Sequence, residues 1–63
     1  MTINSSCGRV ISVRGSVVDV LFFDTLPAIH SLLITERDRS ISLEVITYLD
    51  SDTVRTIAPQ LKD

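Results

Sequence analysis

A chain of 63 residues with one cysteine and one histidine excludes an internal disulfide and a zinc centre, so stability rests on a compact apolar core, on association, or on both. Hydrophobic residues make up 44% of it, and six basic residues are scattered among eight acidic ones for a net charge of −2. That balance excludes a disordered chain and leaves no basic cluster to neutralise phosphates. Every apolar run is short and interrupted, unlike a signal peptide or a membrane span, and a reducing, cytoplasmic compartment is the expectation.

Residues 1–7 are small and polar and read as a flexible lead-in, which leaves 8–63 as one domain. From 8 to 22, β-branched residues crowd both sides of Gly15. Such side chains suit a pleated, half-buried surface and weaken a helix, and glycine is the cheapest residue where φ turns positive. Two strands are therefore predicted, 9–14 and 16–23, folded against each other through Arg14-Gly15-Ser16. On the second, Val18, Val20 and Phe22 share the core face while Asp19 points the other way.

Pro27 ends that pattern by lacking a donor N–H and holding Leu26 extended, and 28–31 reads as a loop or single turn. A third strand is predicted at 32–36, a charged turn at 36–39, and a fourth strand at 40–49. In the fourth, Ile41, Leu43 and Val45 alternate with Ser42 and Glu44. Asp50-Ser51-Asp52 is turn chemistry, and a fifth strand at 53–58 stops at Pro59. Its inward face stays open, because Val54 and Thr56 point one way and Ile57 the other. Val10, Val17, Leu21 and Ile46 fall opposite the core residues, which suggests neighbours packed outside the sheet.

Short strands at this spacing predict an all-β fold, a small closed or nearly closed antiparallel β-barrel of five to six strands. Strands one and five are the expected open edges, with only Arg9, Arg14 and Arg55 as charges to blunt them.

No constellation for catalysis emerges. Gly8 and Gly15 have the wrong spacing for a phosphate loop, and no Gly-Lys-Ser/Thr follows. His30 has no second ligand or nucleophile beside it in sequence and reads as a loop histidine with one hydrogen bond. Cys7 has no neighbouring base to lower its pKa. Asp50 and Asp52 are too few oxygens for calcium. Asp19 sits mid-strand among apolar residues, where a carboxylate needs a partner: Arg55, another arginine across the sheet, or a neighbouring subunit. The catalytic, cofactor-binding and metal sites are accordingly all expected to be none.

Gly8-Arg9-Val10, the run Val13-Arg14-Gly15-Ser16-Val17-Val18-Asp19-Val20, and a following Phe22 resemble the opening of the catalytic beta subunit of rotary, F-type ATP synthases. Leu26-Pro27-Ala28-Ile29 is similar to that family's proline-containing loop, Leu43-Glu44-Val45 to its Leu-Glu-Val strand, and Val54-Arg55-Thr56-Ile57-Ala58 to its Val-Arg-Thr-Ile-Ala segment. These motifs stand in the right order from 8 to 58. Arg14 before the turn glycine and Pro59 after Ile-Ala depart from the family pattern, which implies a divergent or alternate form from a second prokaryotic operon.

The resemblance implies the amino-terminal, six-stranded β-barrel domain, here as a fragment lacking the last barrel strand. It implies a structural, oligomerising role beside alpha subunits in the barrel crown of the hexamer, in a complex peripheral to the inner membrane. The parent enzyme would couple ATP synthesis or hydrolysis to proton or sodium transport and bind Mg-ATP or ADP. The fragment itself would carry no cofactor and no active site, bind no nucleic acid, insert in no membrane directly, and self-associate. The alternative from the residues alone is a small OB-like barrel binding nucleic acid. That class needs aromatic platforms along a basic groove, and Phe22, Phe23 and Tyr48 do not alternate with the arginines.

Overall fold

The structure is a computed structural model and describes residues 8–35 and 41–61. The expected lead-in at 1–7, with Cys7, and the charged turn at 36–39 lie outside the described residues. Five strands follow one another: β1 (Gly8–Arg14), β2 (Val17–Phe22), β3 (Leu32–Ile34), β4 (Ser42–Tyr48) and β5 (Thr53–Ile57). They form one antiparallel sheet in the order β1-β2-β5-β4-β3, strongly curled into a half-barrel, with no helix among the described residues. The all-β antiparallel class expected from the strand spacing is what the chain adopts.

The first hairpin turns as its residues dictate. Gly15 has φ 57° and Ser16 does not share the positive sign. Positive φ at the first of two loop residues is the type II′ pattern, whose twist matches the strands it joins. Arg14 then pairs with Val17, Val13 with Val18 and Ser12 with Asp19, but Val10 pairs with Val20, so Ile11 is an extra residue bulged from β1. A second bulge falls at Ile46, between the pairs Val45–Thr56 and Thr47–Arg55. Each extra residue bends its strand and increases the local twist, which helps a small sheet curl.

The concave face holds the core. Val18, Val20, Phe22, Leu43, Val45, Val54 and Ala58 are buried, and Leu26, Leu33, Ile41 and Leu61 pack against them. Thr56 is fully buried too, its hydroxyl donating to the Val18 carbonyl at 2.8 Å; that bond removes the penalty of a polar group in the core. Gly8 lies opposite Phe22, where a Cβ would stand 2.6 Å from Val20 Cγ1 and 2.9 Å from Phe22 Cζ. The start of β1 thus closes over the core only because position 8 has no side chain.

Register settles three points of orientation. Val54 pairs with Val20, and Thr56 with Val18 and Val45, so these two face inward and Ile57 outward. Val10, expected outside, pairs with Val20 and stands on the concave face; it is 48% exposed because the edge strand has no further neighbour to cover it. β5 is not an edge. It lies between β2 and β4, and the edges are β1 and β3. The reason is the burial of Val54 and Thr56, which only a strand flanked on both sides achieves.

Candidate functional site

With the core on the concave side, the outward side chains of the strands lie on the convex side. Three rows of paired residues cross it. Arg14, Val17, Ile57, Glu44 and Leu32 form one, running through all five strands. Ser12, Asp19, Arg55 and Thr47 form the next, and Arg9, Leu21 and Thr53 the third. Val17, Leu21 and Ile57 are half-buried, while Leu32 and Ile34 at the far edge are 66% and 56% exposed.

Asp19 finds the partner its position demands. Arg55 directly opposite donates from Nε to Oδ1 at 2.9 Å and from Nη2 to Oδ2 at 3.2 Å. This two-bond fork is the strongest geometry available to a carboxylate and an arginine. The Arg55 hydrogen bond is the main cause that holds the Asp19 carboxyl below its ordinary value of 3.8; burial opposes it, and the charges of Arg55 and Arg14 add to it.

A folded-state pKa below the unfolded one means that the pair's contribution is complete above the unfolded pKa. It is lost as pH falls through the folded value. The urea midpoint of the chain is therefore expected to fall on the acid side of 3.8, and Asp19→Asn is expected to be less stable near neutrality with a shallower acid limb. Parallel midpoint-versus-pH curves for the two proteins would refute that role.

The other candidates take structural places. His30 has φ 71° and donates its backbone N–H to the Val45 carbonyl at 2.7 Å; its Nδ1 lies 3.0 Å from Glu44 Oε2 on the surface. The loop after Pro27 is thereby tied along β4, helped by the Tyr48 hydroxyl donating to the Pro27 carbonyl at 2.8 Å. Asp52 accepts from the Thr53 hydroxyl at 3.0 Å and, through its carbonyl, from the Phe22 N–H at 2.7 Å. Asp50 has its backbone N–H on the Thr53 carbonyl, so both acids belong to the β4–β5 turn. Among the described residues no three His, Cys, Asp or Glu side chains converge as metal ligands, and no helix is long and apolar enough to cross a membrane.

Sequence reading did not place Ser12 and Thr47 beside the Asp19–Arg55 pair, nor His30 beside Glu44. Two bulges shift the register by one residue each, and alternation counted along a strand does not reveal them.

No family model matches the chain. Among curated proteins it is 53% identical over 51 residues to ATP synthase subunit beta 2 of Chlorobium luteolum, a match that covers 81% of the chain and 11% of the relative. The same identity and coverage hold for ATP synthase subunit beta 2 of Shewanella frigidimarina. Over the matched residues the chain is a homologue of ATP synthase subunit beta. ATP synthase subunit beta 1 of Marinomonas sp. is 47% identical over 62 residues, covering 90% of the chain and 13% of the relative. The chain thus spans about a tenth of the length of these beta subunits, and what it matches is their N-terminal part. The Asp19–Arg55 pair joins two of the motifs that carry the resemblance, one on β2 and one on β5.

Proposed function

We propose that the chain is a structural, oligomerising element of an ATP synthase beta subunit and not a catalytic unit. Its convex face would pack against the barrels of neighbouring alpha subunits. The observation that carries this reading is an outward apolar set, Val17, Leu21 and Ile57, in a chain 53% identical to a beta subunit. Half-buried apolar residues around a fixed ion pair are the makings of a protein–protein contact. The parent would couple ATP synthesis or hydrolysis to proton or sodium transport, bind Mg-ATP or ADP elsewhere in its length, and sit peripheral to the inner membrane. The subunit is read as an alternate form on its departures at Arg14 and Pro59, since relatives named both beta 1 and beta 2 match it.

The β1 edge is read as the place of a sixth strand. Val10 and Val13 stand there on the concave face, 48% and 56% exposed, and a strand beside them would complete the barrel.

Two measurements test the proposal. Purified alpha subunit is expected to retain the chain on a column, and Val17→Asp to abolish retention without loss of the folded spectrum; retention unchanged by that substitution would overturn the surface named. Calorimetric titration with magnesium-ATP is expected to give no saturable heat, and a micromolar dissociation constant would overturn the non-catalytic reading.

A further inference from the structure

The chain is acidic, yet its convex face between β1 and β5 is basic. Among the described residues Arg9, Arg14 and Arg55 stand there with Asp19 as their one acid, and the four other described acids, Asp24, Glu44, Asp50 and Asp52, lie off these three strands. Asp19 gives both oxygens to Arg55. Arg14 is near enough to help lower the Asp19 pKa, but among the described residues neither it nor Arg9 forms an ion pair. Both are exposed on the edge strand; Val17 and Leu21 on β2 run between them and β5, where Ile57 stands two residues from Arg55 on the same face. Arginine around an apolar centre is the composition of energetically dominant protein contacts.

A nucleic acid fits this face poorly. The described aromatic residues lie elsewhere: Phe22 is in the core, Tyr48 pairs with Val54 on the concave side, and Phe23 follows the end of β2. Stacking platforms are therefore missing from the face.

We propose that the β1–β2–β5 part of the convex face docks a protein surface that presents carboxylates, received by Arg14 and Arg9 around apolar contacts to Val17, Leu21 and Ile57. The inference rests on the assembly reading for where the partner is found and adds its chemistry: an acidic rim, with steering that salt weakens.

The test uses the isotopically labelled chain and two probes, an eight-residue peptide of alternating Glu and Val and the purified alpha subunit. The peptide is expected to shift amide signals of β1, β2 and β5, and to bind about tenfold more weakly in about 500 mM than in about 50 mM salt. Arg9→Ser combined with Arg14→Ser is expected to keep the dispersed spectrum, since both positions are exposed, and to bind at least about tenfold more weakly. An alternating Lys and Val peptide should leave the face unmoved. Absence of shifts at millimolar Glu-Val peptide, or equal binding by the double variant, would overturn the inference. If alpha subunit binds both proteins equally, the charge inference fails and the assembly reading stands. If the peptide binds and alpha subunit does not, the assembly reading fails and the acidic-partner inference stands.

Discussion

Val18→Asp is expected to remove the cooperative urea transition of this chain. Val18 is 2% exposed, opposes Thr56 on β5 and Val13 on β1, and belongs to the core cluster. An aspartate there buries a carboxylate with no cation facing it among the described residues, because the arginines of these strands stand on the convex side. The cost of such a group is several kcal/mol, against a total stability of about 3–5 kcal/mol for a single core of this size. One residue along, Asp19→Asn keeps the shape and loses only the charge of a pair whose arginine is half-exposed, so a folded, less stable protein is expected. Circular dichroism melts of the two variants decide the matter, and equal effects would mean that the two faces of β2 have been interchanged.

The second large effect concerns the edges. β1 and β3 each have a strand on one side only, and β1 adds Val10, Ile11 and Val13, all about half exposed. The bulge at Ile11 and the exposed Arg9 and Arg14 blunt that edge only in part, and its exposed apolar residues with unpaired N–H and C=O groups still offer a template for another strand. The chain is therefore expected to associate with itself in sedimentation equilibrium, and Val13→Lys, which places a charge on the edge, to return it to monomer. A version extended along the family sequence by about twenty residues, enough for a connection and one strand, is expected to be monomeric as well. A stable monomer of the unaltered chain at high concentration would show that the β1 edge is protected, and the edge argument would fail.

Both expectations depend on knowing which face is inside, and that knowledge divides between sequence and structure. All five strands to within two residues at either end, the turn at Gly15 and the inward set Val18, Val20, Phe22, Leu43 and Val45 were legible. Each rests on a local rule: period-two alternation, the steric freedom of glycine, the missing N–H of proline. The family was legible too, because its motifs keep their order along the chain. Asp19 announced its need for a partner simply by being an acid in the middle of an apolar strand, and Arg55 was one of the named choices.

Only the tertiary structure decided the rest. β5 sits between β2 and β4, a placement set by contacts between residues more than thirty apart, such as Arg55 with Asp19 and Thr56 with Val18. That insertion moved the second edge from β5 to β3 and resolved Val54 and Thr56 as inward, a choice their own strand left undecided. The bulges at Ile11 and Ile46 put Val10 on the concave face and lined up Ser12, Asp19, Arg55 and Thr47. Local preference determines that a segment is extended and where it stops; the register between segments is set by which side chains fill the shared core, and no single strand contains that information.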